Sequence, residues 1–389
     1  MGRLRKKSMQ KKGDSIVNMF IIFILAVFAG SILAPIIGTS NNHRPNLPPR
    51  SKEIQAILSE KDFRKQVAQY TKLIERVGPI EAQEEFQHSG IPFTGQMHLL
   101  NHTVGNIIWK KYGPKGITMC KDYFSSSCYH GFILNAIGDG KLDNINLAMK
   151  ECKKVGWESY LQCAHAVGHG FLAYLGYANM MKALDMCDQV KTNIKDFAAN
   201  YCYNGVFMEN IWGLHEGRPS PDRWVSKDDM RFPCDYKELK ERHLPECWYN
   251  QALHLNNEFF HGDLVKVAKV CDTVEGDRSK YMCFDGVFRS LHSMTANDIP
   301  KKFDKCKQMP NGWEETCIAL QAGASFQQGD RELPFIICAE TKVGKSKCYQ
   351  EIANSIQGNI YKVAEKNELC KRIPNEYRMG VCKTIVRSI

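Results

Sequence analysis

LDNINLAMKECKKVGWESYLQCAHAVGHGFLAYLGY, residues 142–177, reads as two apolar-periodic helical stretches joined by a short polar turn. Cys152 ends the first stretch and Cys163 opens the second, so a bond between them clips the two helices into a hairpin. The same design recurs down the chain. Sixteen cysteines, none before residue 120, fall in order into eight pairs: Cys120 with Cys128, Cys152 with Cys163, Cys187 with Cys202, Cys234 with Cys247, Cys271 with Cys283, Cys306 with Cys317, Cys338 with Cys348, and Cys370 with Cys382. Their first members recur every 32, 35, 47, 37, 35, 32 and 32 residues. A period of this length suits one helix-turn-helix unit, which hides its apolar face only by stacking on a neighbour. The spacing therefore predicts an all-α fold, a helix-turn-helix repeat solenoid or ring with about eight intra-repeat disulfides.

Paired cysteines also hold zinc or iron-sulfur clusters, but those sites are built on CxxC, which occurs nowhere here. The even cysteine count and the export signals described below favour disulfides. Closing so short a loop stabilises a hairpin by roughly 3 kcal/mol in the chain-entropy model. Hairpins of this length, with cysteines ending one helix and opening the next, resemble the cysteine-rich relatives of tetratricopeptide repeats. The likeness spans Lys52 to Ile389 and is architectural; it implies a right-handed solenoid or a closed ring, a common form of binding scaffold, and no particular activity.

The N-terminus carries different information. Residues 1–15 hold Arg3, Arg5, Lys6, Lys7, Lys11 and Lys12 against Asp14 alone, half of the whole chain's formal net charge of +10. The remainder is only mildly basic, which gives no footprint for nucleic acid. No charge occurs from Ser15 to His43, and residues 16–38 (IVNMFIIFILAVFAGSILAPIIG) are long enough to cross a bilayer as a helix. With the basic cluster ahead of it, the N-terminus is expected in the cytoplasm and the body outside it, at a cell surface, in a periplasm or in a secretory lumen. A cleaved signal, with Val27 and Ala29 at the cleavage site, competes with this signal-anchor; the length of the apolar run favours the anchor. Residues 39–52 read as a polar, proline-bearing linker, and residues 53–389 as the extracytoplasmic repeat domain.

Two sections depart from the repeat. Lys52–Gly113 has no cysteine, yet its FTGQMHLLNHTVGNIIWKKYG aligns with the later second helices and is expected to cap the stack. Trp212–Pro233 stretches one repeat to 47 residues as a polar loop with two tryptophans, and this loop or the concave face of the array is where a protein partner would dock.

Counting from the second cysteine of each unit places the histidines. His130 follows Cys128 by two, while His165 and His169 follow Cys163 by two and six. His98 and His102 fit the same slots with Gln96 in the cysteine's place. Positions two and six lie on one helix face a turn apart, so their imidazoles can share a metal. Neighbouring helices about 8–10 Å apart let His130 lie between the two pairs. Glu209, in CYNGVFMEN, is the nearest carboxylate to join as ligand or base. Such a set suits copper, zinc or iron, as a dinuclear centre or a single site with an open position. Packing and capping are the usual roles of single histidines; the shared register is what singles these five out.

Other chemistries find little support. HExxH is missing, Glu258 and His261 give ExxH, and no GxSxG, phosphate loop or GxGxxG occurs. Gly131, Gly205 and Gly286, each three residues after a cysteine, read as points of close helix packing. Asp285 takes the slot of His130 in its unit, while later units put Ala319, Gln350 and Thr384 there, so the chemistry is expected to be confined to the N-terminal half. The sequence thus leaves two classes, a metal-dependent enzyme or metal-binding protein, and a metal-free helical-repeat scaffold.

Overall fold

The computed structural model describes residues 52–89, 95–121, 123–124, 126–138, 142–190, 197–213, 221–295, 297–327, 330–359, 363–380 and 382–383. The expected basic tail (1–15), membrane helix (16–38) and nearly all of the linker (39–52) lie outside them. Among the described residues no helix is long and apolar enough to cross a membrane.

The described residues form α-helices and short tight turns of helix, with no strand among them. Three helices, α1 (Lys52–Ser59), α2 (Phe63–Val77) and α3 (Pro79–Gln87), precede the first long one, α4 (Gly95–Tyr112). Then follow α5 (Ser127–Gly138), α6 (Leu142–Val155), α7 (Trp157–Leu175), α8 (Met180–Gln189), α9 (Phe197–Trp212), α10 (Leu244–His254) and α11 (Leu264–Asp272). The chain continues through α12 (Asp277–Thr295), α13 (Ile299–Lys307), α14 (Glu314–Gln327), α15 (Leu333–Glu340), α16 (Lys345–Asn359) and α17 (Val363–Lys371).

All eight cysteine pairs are at bonding distance in the expected order, with Cα atoms 5.0 to 6.7 Å apart. Five of them join an outer helix to the inner helix that follows it, at α6–α7, α8–α9, α11–α12, α13–α14 and α15–α16. The other three have a different first or second partner: Cys120 follows a 3₁₀ segment, Cys234 sits in a turn, and Cys382 lies beyond α17. Thiol titration of the denatured, unreduced protein is therefore expected to find close to no free cysteine. Several free thiols per chain would refute the clipped-hairpin fold.

The second helices stack in chain order, α4 on α5, then α7, α9, α10, α12, α14 and α16. The last of these, α16, returns to within 8 Å of α7, measured between Cα atoms. Six inner helices, α7 to α16, thus close on themselves, and α4 and α5 extend the stack beyond the closure. Between inner and outer layers lies one continuous core, with Phe132, Phe171, Tyr203, Phe207, Phe284 and Phe288 almost fully buried in it.

Glycines set the closeness of the stack. A Cβ on Gly105 of α4 would stand 2.1 Å from the Cys128 carbonyl oxygen of α5, and one on Gly131 would stand 2.2 Å from the His102 carbonyl oxygen. Gly168 of α7 and Gly205 of α9 make the same reciprocal contact, 1.9 Å from the Cys202 oxygen and 2.0 Å from the His165 oxygen. Gly286 does likewise against Tyr249 of α10, at 2.5 Å. Only a residue without a side chain lets the two backbones meet at these crossings.

The long insertion is docked rather than free over its described part, residues 221–233. Asn210 of α9 grips Trp224 through both backbone groups, accepting from its N–H at 2.7 Å and donating to its carbonyl at 2.8 Å. Arg231 lies 4.9 Å over the Trp248 ring, and Gln251 donates to the Met230 carbonyl oxygen at 2.8 Å.

A lysine is buried in the core as well. Lys302 of α13 is fully buried and its Nζ donates to Thr295 Oγ1 at 2.9 Å, to His292 Nδ1 at 3.3 Å and to Gln321 Oε1 at 3.4 Å. Burial pulls its pKa down from 10.5 to about 8, against the weaker opposing pull of Asp298. Below pH 8 both folded and unfolded chains hold the proton, and the full desolvation penalty, on the order of 3 kcal/mol, opposes folding. From pH 8 to 10.5 the folded chain sheds the proton first, so this residue's contribution to stability rises with pH. Lys302→Met should flatten that rise: the stability difference between variant and wild type, followed by denaturant unfolding, shifts toward the wild type between pH 8 and 10.5. A difference independent of pH would refute the assignment.

Candidate metal centre

Three helices bring five imidazoles together. α4 carries His98 and His102, α5 carries His130, and α7 carries His165 and His169, each pair one turn apart on its helix. The glycine contacts bear on the ligands themselves, because Gly131 and Gly205 abut the backbone oxygens of His102 and His165.

Within each pair the Nε2 atoms face one another at 3.0 Å. His130 lies between the pairs, with ring centroids 5.0 and 5.8 Å from His98 and His102, and 5.6 and 5.2 Å from His165 and His169. Its Nδ1 is 3.1 Å from His98 Nε2, while its Nε2 is buried without a hydrogen-bond partner. Two groups of three, His98–His102–His130 and His130–His165–His169, each have one nitrogen per residue within 4.8 Å of the others. Metal–nitrogen bonds of 2.0–2.1 Å at a tetrahedral angle separate two nitrogens by about 3.3 Å, a few tenths more than the observed pairs.

The outward nitrogens are tied down. His98 Nδ1 donates to the Phe124 carbonyl oxygen at 2.7 Å, which leaves Nε2 as the atom with a lone pair. His169 Nδ1 donates to Glu209 Oε2 at 2.9 Å, and Glu209 Oε1 accepts from the Tyr177 hydroxyl at 2.5 Å. His165 is hydrogen bonded to the Tyr201 backbone and the Asn204 side chain. A carboxylate or carbonyl on the far nitrogen is the arrangement that orients metal-binding histidines and raises their basicity. Burial, followed by the repulsion of the neighbouring imidazoles, holds the pKa of His130 well below the ordinary range. His165 is lowered as well, by burial and then by His169 and His98. Neutral rings offer lone pairs to a cation.

Glu209 is fully buried on α9 and stands behind His169, its two oxygens facing His169 Nδ1 and Tyr177. This differs from the sequence expectation of a carboxylate at the common centre. The seven-residue offset of Glu209 from Cys202 is one beyond the slot of His169, a rotation of about 100° around the helix. Among the described residues the other histidines stand apart: His88 bonds the Glu84 carbonyl oxygen, His243 packs edge-on against Tyr203, His254 against Phe259, and His292 lies beside Lys302. His261 bonds the Asn257 carbonyl oxygen at an exposed turn.

Polar chemistry on the inner wall is not confined to the N-terminal half. Asp285 and Arg289 of α12 occupy slots two and six after Cys283, those of His165 and His169, and form an ion pair at 3.4 Å. Arg289 also donates to Gln327 Oε1 at 2.7 Å. Nearer the histidines, Asn204 donates to Glu246 Oε2 at 2.8 Å, and burial raises the Glu246 carboxyl to about 7. The signal was present in the spacing, since Asp285 sits in the slot of His130, but an ion pair four residues apart reads as an ordinary helix surface until the ring closes around it.

Comparison with protein-family models, with curated proteins and with solved structures yields no match for this chain. The class defined by fold and site is a disulfide-stapled all-helical protein with clustered histidines able to hold a metal. Eight disulfides are the chemistry of an oxidising, extracytoplasmic compartment.

Proposed function

We propose that the chain is a membrane-anchored, extracytoplasmic metal protein, with His98, His102, His130, His165 and His169 as ligands for a transition metal of the copper, zinc or iron group. The observation that carries this reading is the pair of facing Nε2 contacts, 3.0 Å each, with His130 buried between them. Two imidazole nitrogens at that separation share either one N–H hydrogen or a cation, and the bonded Nδ1 atoms of His98 and His169 leave one lone pair of each pair facing that gap. Glu209 and Tyr177 serve as the outer support of His169, and the Phe124 carbonyl as that of His98. All-nitrogen coordination excludes the hard oxygen-seeking ions magnesium and calcium. The apolar run at residues 16–38 supplies the anchor, with the basic tail on the cytoplasmic side.

Elemental analysis of the tag-free full chain, extracted in detergent and purified without chelator, tests the reading. It is expected to show at least one copper, zinc or iron per chain, in a protein that stays with the membrane pellet under alkaline wash. A metal-free protein would make the histidines packing residues and the helical scaffold the better description.

A further inference from the structure

We propose that His130 is a bridging ligand: two metal ions, one held by His98 and His102 and the other by His165 and His169, share its imidazole ring. This rests on the metal-centre reading above and adds the number of ions and their coupling.

Three observations lead there. His130 alone belongs to both groups of three nitrogens, and the two groups do not merge into one set of five. One ion at a single point would require all five nitrogens to crowd together, whereas two ions leave each with three ligands. Second, the two nitrogens of the ring stand in different surroundings. Nδ1 lies 3.1 Å from His98 Nε2, and Nε2, on the far edge of the ring, is buried with no hydrogen-bond partner. An orphaned nitrogen in a residue only 7% exposed is costly unless something binds it. Third, each of the other pairs is anchored from its own outer side, His98 by Phe124 and His169 by Glu209, whereas the Nδ1 of His130 faces His98 and its Nε2 has no partner.

The proton balance follows from the ring. Neutral imidazole carries one N–H and one lone pair, so it can bind one ion and keep its hydrogen. Binding the second ion at the other nitrogen expels that hydrogen to the solvent and leaves an imidazolate between the metals. No oxidant or reductant is involved. Each ion then has three nitrogens and room for an exogenous ligand, which is the open coordination that metal catalysis requires.

Copper(II) and zinc(II) are the probes. The tag-free full chain, stripped with chelator and reloaded with copper(II), is expected to hold two ions, with an electron paramagnetic resonance signal well below that of two isolated copper ions because the bridge couples their spins. Loading with one equivalent each of zinc and copper should restore an uncoupled copper signal. The pair variants H98A/H102A and H165A/H169A should each retain one copper with an uncoupled signal, and both should keep wild-type helicity and no free thiols. Two coppers with a full, uncoupled signal would overturn the bridge. A single copper in the wild type, lost from both pair variants, would overturn it too while leaving the metal reading intact. No copper or zinc at all would sink both readings. Should one pair variant fail to fold, the wild-type spin measurement decides alone.

Discussion

His130→Ala is expected to lower the metal content of the purified chain by at least tenfold while leaving its helices and disulfides in place. The ring is the only ligand common to both groups of three, so its loss leaves two bare pairs, and two imidazoles without a third ligand hold copper or zinc weakly. The fold has little reason to respond. His130 lies against the rings of the other four histidines, and its unpartnered Nε2 is a liability to the metal-free protein that the substitution removes. Metal content by elemental analysis, far-ultraviolet circular dichroism and thiol titration on the same sample check the prediction. Unchanged metal content would show that these imidazoles are not ligands; lost helicity would show that the ring is structural.

The repeat was legible because disulfide pairing within a hairpin is local. Cys152 and Cys163 bracket a turn, helical periodicity runs up to each, and the period from one pair to the next counts the units. The histidine cluster was legible for the same reason, since a count from each cysteine fixes the helix face without any knowledge of the tertiary fold. What local counting does not contain is rotation beyond the slot and contact across the ring. Glu209 differs from its expected place by one residue, yet about 100° of helix turn moves its carboxylate from the common centre to the back of His169. Tyr177 and Phe124 enter through a 3₁₀ turn after α7 and a loop before α5, and neither place has a repeating position to count from. The return of α16 to α7 joins residues nearly two hundred positions apart, and so the polar wall of Asp285 and Arg289 is visible only once the ring has closed.

Gly205→Leu is expected to be the most damaging single substitution in the stack, destabilising the domain by about 3 kcal/mol or more and stripping the centre of metal. The glycine lies where α9 crosses α7, and any Cβ there meets the His165 carbonyl oxygen at 2.0 Å and His169 N at 3.0 Å. Both obstacles are backbone atoms of a regular helix, so no rotamer change relieves them and the helices must part. Parting them displaces the two ligands of α7 and separates His169 from Glu209, which sits four residues after Gly205 on α9. Packing and site therefore fail together. The control is Gly138→Ala at the end of α5, where an added Cβ meets nothing within 4 Å and stability should stay within about 1 kcal/mol of wild type. Denaturant unfolding and metal analysis of the two variants side by side give the answer. If Gly205→Leu is as stable and as metal-rich as Gly138→Ala, then close approach of α7 and α9 is not what builds the centre.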